Sequence, residues 1–256
     1  MAGGARGEFQ GGNEPGEYGV TSLLISVTSL HEAELALDVG VDILDMKNPA
    51  EGALGRLPLI EIAAIVAATG SRCITSATIG DLPMQPDLLT NAVQEVMATG
   101  VDIVKIGFFG GGQQLEVCAR EIGRLATAEG KLVAVLMADQ QPAFSLVPVL
   151  KAAGFHGVML DTANKQSGSL LDCLTVQDIE SFCDVAQTHN LLTGLAGSLR
   201  ETHIETLLDL KPDYLGFRGA ACMDLNRKAS LDADRLQSIR NMLHKYNTTR
   251  YEAPMH

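Results

Sequence analysis

Several kinds of functional site are missing from this 256-residue sequence. It has no HExxH motif, no CxxC pair and no cluster of histidines, so we predict that it binds no metal ion. Its five cysteines are scattered and odd in number, which is typical of reduced thiols inside a cell rather than of a disulfide framework. No glycine-rich dinucleotide loop follows the first apolar run. We therefore expect neither a metal nor another cofactor.

Long apolar runs are also missing. No run reaches the roughly 18 residues that a membrane-spanning helix needs. Residues 1–20 lack the apolar centre of a signal peptide and are glycine-rich and acidic, which predicts a disordered extension. These features favour a cytoplasmic location.

Positive charge is in short supply, with 19 Lys and Arg against 31 Asp and Glu, and Trp is absent. The resulting field repels polyanions, so we predict that neither nucleic acid nor an anionic membrane is a partner. An anionic small molecule must instead be met by local positive groups. A homo-oligomer remains open.

Short apolar runs alternate with longer amphipathic segments from residue 22 onward. Nearly continuous apolar runs, each followed by a helix, are typical of a parallel sheet covered by helices. The predicted strands lie at 22–29, 41–47, 73–79, 101–109, 131–139, 157–161, 191–198 and 214–220. Eight strand–helix units in about 230 residues predict an α/β fold, a single (β/α)8 TIM barrel. We expect this barrel over residues 21–247, followed by a C-terminal tail over 248–256.

Three lysines each come just after a short apolar run. Lys47 ends the second predicted strand, Lys105 lies within the fourth, and Lys165 follows the sixth. The C-terminal ends of barrel strands form the active-site face. Asp45 shares a strand face with Lys47, and Asp161 closes the sixth strand shortly before Lys165. A lysine near a strand end is more often a snorkelling side chain than a nucleophile. Three such lysines beside two aspartates nevertheless favour imine chemistry, in which a lysine amine attacks a carbonyl.

Small residues and an arginine follow the last two predicted strands. Gly197 and Ser198 come after the seventh, and Arg218 and Gly219 come after the eighth. Many barrels bind a phosphate at these two loops through backbone N–H groups. A tight turn explains each pair equally well when it is taken alone. Their joint position favours a phosphate site, with Arg218 supplying positive charge. A further stretch, GFFGGGQQ, fits a flexible loop and a second anion site equally well.

Five motifs follow one another along the chain: DILDMKNPAEGALG, VDIVKIG, MLDTANK, GLAGSL and LGFRGAAC. In this order and at these separations they resemble the (5-formylfuran-3-yl)methyl phosphate synthases of methanofuran biosynthesis, over roughly residues 22–245. The DxKNPxxGxLG pattern is much more specific than a lone glycine motif. The resemblance implies a barrel that joins two molecules of glyceraldehyde 3-phosphate, with loss of one phosphate and of water, through a lysine Schiff base.

The same resemblance implies a role for each candidate residue. Lys47 corresponds to the imine-forming lysine, Asp45 to its partner acid, Lys105 to a further catalytic lysine, and Asp161 with Lys165 to the remaining pair. We therefore expect a metal-independent lyase whose partners are triose phosphates. Two alternatives stay open: another Schiff-base aldolase or phosphosugar isomerase on the same barrel, and a non-catalytic protein that binds phosphometabolites.

Overall fold

The computed structural model describes residues 20–127, 130–164 and 167–252. Eight parallel strands pair in sequence order, and β1 also pairs with β8, so that the sheet closes into a barrel. The strands are β1 Ser22–Val27, β2 Ile43–Met46, β3 Ile74–Thr78, β4 Ile103–Phe108, β5 Lys131–Met137, β6 Gly157–Asp161, β7 Leu192–Leu195 and β8 Tyr214–Phe217. The predicted TIM barrel is confirmed, and each strand lies within its predicted range. The predicted extension over 1–20 lies, apart from residue 20, outside the described residues.

Helices connect the strands and cover the outside of the barrel. They are α1 Leu30–Val39, α2 Leu59–Thr69, α3 Pro86–Met97, α4 Gln113–Gly123, α5 Leu146–Ala153, α6 Leu170–Cys173, α7 Val176–Thr188, α8 Ile204–Leu208 and α9 Ala233–Glu252. Helix α1 has a capping residue at each end: the Ser29 hydroxyl accepts a hydrogen bond from the N–H of Glu32, and Gly40 adopts the left-handed conformation. Helix α9 runs through the boundary predicted at residue 247 between barrel and tail.

The inside of the barrel is filled by apolar side chains up to the level where the site begins. They include Leu24, Ile43, Ile103, Val133, Met159 and Tyr214. Gly194 on β7 makes room for Tyr214, because a Cβ at this glycine would overlap the tyrosine ring. Side chains alternate along a strand, so the inward faces of β2 and β4 continue into Asp45 and Lys105. A polar layer therefore rests on an apolar one at the C-terminal end of the barrel.

Candidate active site

Two lysines and two aspartates form two ion pairs in the C-terminal mouth of the barrel. Lys105 Nζ lies 2.7 Å from Asp45 Oδ1, and these side chains are 2% and 0% exposed. Lys47 Nζ lies 3.4 Å from Asp161 Oδ2, with side-chain exposures of 9% and 2%. Shielding from water strengthens the interaction between the charges and makes an unpaired charge costly. The four residues converge on one mouth, as the strand pattern predicts.

The ion pairs connect different strands rather than neighbours in the sequence. We expected Asp45 to be the partner of Lys47, but Asp45 pairs with Lys105 and Lys47 pairs with Asp161. Residues two apart on a strand are separated by about 6.6 Å along the chain. Flexible lysine side chains in the mouth can therefore reach carboxylates on other strands instead.

Asp45 is surrounded by donors. Its Oδ1 accepts a hydrogen bond from Ser76 Oγ at 2.7 Å and its Oδ2 accepts one from Ser26 Oγ at 3.0 Å, in addition to the ion pair with Lys105. Burial alone would raise the pKa of Asp45, but the charges of Lys105 and Lys47 and the hydrogen bonds from Lys105 and Ser76 bring the pKa below its usual value. Asp45 is therefore an ionised carboxylate that fixes the groups around it.

The two serines were not singled out from the sequence. Ser26 is paired with Asp45 across β1 and β2, and Asp45 is paired with Ser76 across β2 and β3. Each serine lies two residues after a side chain inside the barrel, Leu24 on β1 and Ile74 on β3, so it also points inward. The same alternation that indicated Asp45 could therefore have indicated both serines.

The two amines differ in their surroundings. Burial lowers the pKa of Lys105, the charge of Asp45 opposes this shift, and the charge of Lys47 adds to it. Lys105 is a fixed group, closely held by its carboxylate. Lys47 is the more exposed amine and has the longer ion pair, and it lines the adjoining cavity. It is therefore the amine better placed to reach a carbonyl.

The third predicted lysine, Lys165, lies outside the described residues. The segment before it is held by Asp139, whose carboxylate oxygens accept hydrogen bonds from the N–H groups of Ala163 at 2.8 Å and Asn164 at 2.7 Å. Asp139 thus acts as a loop cap.

A cavity of about 560 Å³ opens beside the ion pairs. Gly197, Ser198 and Gly219, which were predicted to bind a phosphate, line it together with Lys47 and Lys105. Gly197 has a φ of +107°, and a Cβ there would lie 2.9 Å from Thr162 Cγ2, so that a larger residue would be strained. Within the described chain, the backbone N–H groups of Gly197 and Ser198 have no protein acceptor. The loop can therefore donate to an anion.

Arg218 also borders the cavity, but its guanidinium is engaged elsewhere. Nη1 and Nη2 donate to Glu32 Oε2 at 2.6 Å and Oε1 at 3.1 Å. Three further hydrogen bonds go to the backbone oxygens of Ser26, Arg227 and Ala229. These bonds use all five N–H donors of a guanidinium. The structure therefore does not support the predicted phosphate role of Arg218, which instead links β1, α1 and the loop after β8.

Among the residues that the structure describes, no helix is long and apolar enough to cross a membrane. The same residues contain no group of three or more His, Cys, Asp or Glu side chains suited to hold a metal ion.

Comparisons with known sequences point to one family. The family model described as 4-HFC-P synthase matches residues 23–240. A Methylorubrum extorquens protein, provisionally named (5-formylfuran-3-yl)methyl phosphate synthase, is 40% identical over 214 residues, which cover 84% of this chain and 88% of that protein. The (5-formylfuran-3-yl)methyl phosphate synthase of Methanopyrus kandleri is 37% identical over 221 residues, which cover 81% of this chain and 92% of the relative.

Solved structures with low sequence identity share the barrel. Phosphoribosyl anthranilate isomerase from Thermus thermophilus superposes with a TM-score of 0.62 at 16% identity, covering 88% of this chain and 100% of that one. KGPDC from Streptococcus mutans gives 0.60 at 9% identity, with coverages of 88% and 98%. These likenesses show the fold alone. The family model and the curated relatives go further, because they match most of the sequence, and they show that this chain belongs to the 4-HFC-P synthase family.

Proposed function

We propose that this protein condenses two molecules of glyceraldehyde 3-phosphate into (5-formylfuran-3-yl)methyl phosphate, with release of phosphate and water, through a Schiff base on Lys47. The observation that carries the proposal is the shielded cluster of two lysines and two aspartates, of which Lys47, Lys105 and Asp161 line a cavity of about 560 Å³. Covalent catalysis by an amine requires a neighbouring group that takes up its proton. The names of the relatives support the product, and methanofuran biosynthesis is the pathway expected for it.

In the first step, the Lys47 amine attacks the aldehyde carbon of one triose phosphate. Asp161 is the carboxylate beside Lys47, so it fits the role of the base that receives the proton. The protonated imine then withdraws electrons from the neighbouring carbon, and the same carboxylate can remove the proton there. Positioned general bases of this kind contribute about 10²- to 10⁴-fold to a rate.

Asp45 and Lys105 serve the reaction as a fixed pair. Because Asp45 is committed to Lys105, Ser26 and Ser76, we assign it the role of holding Lys105 rather than of exchanging substrate protons. Lys105 lines the cavity and offers a proton donor near Lys47, which suits protonation of a leaving oxygen. After phosphate leaves, the remaining enol adds through its terminal carbon to the central carbon of the second triose, which first gains a carbonyl there by an aldose–ketose shift, and the enol proton passes to the new alkoxide oxygen. Ring closure and dehydration then give the furan.

Backbone N–H groups are proposed to hold a substrate phosphate during these steps. Gly197 and Ser198 after β7 and Gly219 after β8 lie at the two loops where barrels commonly bind phosphate. Donors that are fixed before the substrate arrives need no reorganisation in the transition state. Triose phosphates are thus the proposed partners, and the cytoplasm is the proposed location.

The test is product formation from purified protein and glyceraldehyde 3-phosphate alone. We expect stoichiometric inorganic phosphate and a furan aldehyde, identified by its absorbance and mass. Lys47→Ala should abolish both, whereas Lys228→Ala, which removes an exposed lysine outside the cavity lining, should leave them unchanged. Turnover without phosphate release would favour another Schiff-base aldolase or isomerase. Binding without turnover would favour a phosphometabolite-binding protein.

A further inference from the structure

Arg227 is an arginine at the cavity whose guanidinium, unlike that of Arg218, is mostly uncommitted to protein partners in the described chain. It lies in the loop between β8 and α9, lines the cavity and is half-buried. In the described chain its guanidinium makes one hydrogen bond, from Nη2 to Gly52 O at 2.9 Å. A guanidinium has five N–H donors, so most remain for a ligand.

Its surroundings place this guanidinium near the proposed reaction centre. Burial lowers the pKa of Arg227, and the charge of Asp161 is the main opposing influence. Asp161 is the carboxylate that pairs with Lys47. Arg200 is another arginine on the cavity wall, but it is exposed, and water screens its charge more strongly.

The partner of Arg227 is fixed in place. Gly52 belongs to the loop between β2 and α2, and the N–H groups of the next two residues, Ala53 and Leu54, both donate to the carboxylate of Asp81 at 2.8 Å. An arginine that bridges two loops is oriented before a ligand arrives, which reduces the entropy lost on binding.

The loop that carries Arg227 is itself held in a strained form. Asp224 and Leu225 have φ values of +53° and +57°, which side-chain-bearing residues rarely adopt. The Arg218 guanidinium anchors the same loop by donating to Arg227 O and Ala229 O. Backbone strain of this kind is typical of segments that clamp a ligand.

We propose that Arg227 binds the phosphate group of the triose whose aldehyde carbon reacts with Lys47, and that it thereby sets the preference for phosphorylated trioses. This inference rests on the proposed function. A guanidinium can contact two phosphate oxygens at once, which neutral loop N–H groups cannot match in charge. A protein of net charge −12 needs such a cation at an anion site.

The first experiment measures imine formation by borohydride trapping over a range of concentrations of glyceraldehyde 3-phosphate and of unphosphorylated glyceraldehyde. Wild type should be half-saturated at a much lower concentration of the phosphorylated triose. Arg227→Gln should weaken this preference by about 10- to 100-fold, the size expected for loss of a charged hydrogen bond. Arg227→Lys should recover part of it. Lys228→Gln removes the same charge from the next, exposed position and should behave as wild type.

The second experiment measures the binding of inorganic phosphate by calorimetry and does not depend on the imine. Arg227→Gln should bind phosphate at least about tenfold more weakly than wild type and Lys228→Gln. Equal phosphate binding, or an unchanged preference between the two trioses, would overturn the role of Arg227 even if furan synthesis is observed. If Arg227→Gln binds phosphate more weakly than wild type but wild type forms no imine, the result would support the role of Arg227 and contradict the proposed function.

Discussion

The buried ion pair between Arg218 and Glu32 offers the sharpest test of how the barrel is closed. Both side chains are 6% exposed. Glu32 also accepts hydrogen bonds from the N–H and hydroxyl of Thr28 and from the N–H of Leu231. Arg218→Met would leave this carboxylate buried without its cation. Breaking a buried pair by removing one partner costs about 3–5 kcal/mol. We expect the upper part of this range, because three hydrogen bonds to backbone oxygens are lost as well.

The measurement is the free energy of unfolding from urea titration, followed by circular dichroism. For a chain of this size each kcal/mol lowers the melting temperature by roughly 2–4 °C, so a loss of about 4–5 kcal/mol should lower the melting temperature by about 8–20 °C. Lys228→Met, in the exposed part of the nearby loop, should change stability by less than about 0.5 kcal/mol. Adding Glu32→Gln to Arg218→Met should recover part of the lost stability, since it removes the unpaired buried carboxylate. If Arg218→Met is as stable as wild type and its KM is about tenfold higher, this reasoning is refuted, and Arg218 would be assigned to the phosphate site after all.

Three further predictions follow from the site. Lys105→Met should destabilise the fold by about 3–5 kcal/mol, because it leaves the buried Asp45 carboxylate without its cation. Adding Asp45→Leu should restore the stability measured in urea but not furan synthesis. Recovered synthesis would contradict the proposed role of the pair. Burial would raise the pKa values of Asp45 and Glu32, but their cationic neighbours hold them below normal. Their contribution to stability should therefore be complete above the usual values of about 4 and be lost as the pH falls through the lowered ones, which acid titration followed by circular dichroism can check. Gly197→Ala should cost about 1–3 kcal/mol through its positive φ and its contact with Thr162, and should raise KM for glyceraldehyde 3-phosphate; an unchanged KM would argue against this loop as a phosphate site.

The barrel could be predicted from the sequence because each strand and helix has its own local pattern of apolar and polar residues. Runs of four to seven residues form the strands, and a helical segment follows each strand along the chain. The alternation of side chains along a strand was enough to place Asp45 and Lys105 inside the barrel.

The pairing of charges could not be predicted in the same way, because it depends on the register between strands. Asp45 is level with Ser76 on β3, and Thr78 on β3 is level with Lys105 on β4. Sequence distance favoured Lys47 as the partner of Asp45, but the staggered barrel brings Lys105 to it instead.

The environment of Arg218 was hidden for a related reason. Its partner Glu32 lies 186 residues away and becomes a neighbour only because β1 pairs with β8. Arg227 was missed because it stands in an irregular loop, where no periodicity indicates which side chains face a cavity. The signal that remained was the shortage of positive charge, which required a cation near any anionic substrate.

The central claim, covalent attack by the Lys47 amine, is tested most directly by reduction with borohydride in the presence of glyceraldehyde 3-phosphate, followed by peptide mass spectrometry. The account predicts a triose adduct on the peptide that contains Lys47, lost in Lys47→Ala and retained in Lys228→Ala. An unlabelled wild-type protein that still makes the furan, or an adduct confined to Lys105, would contradict it.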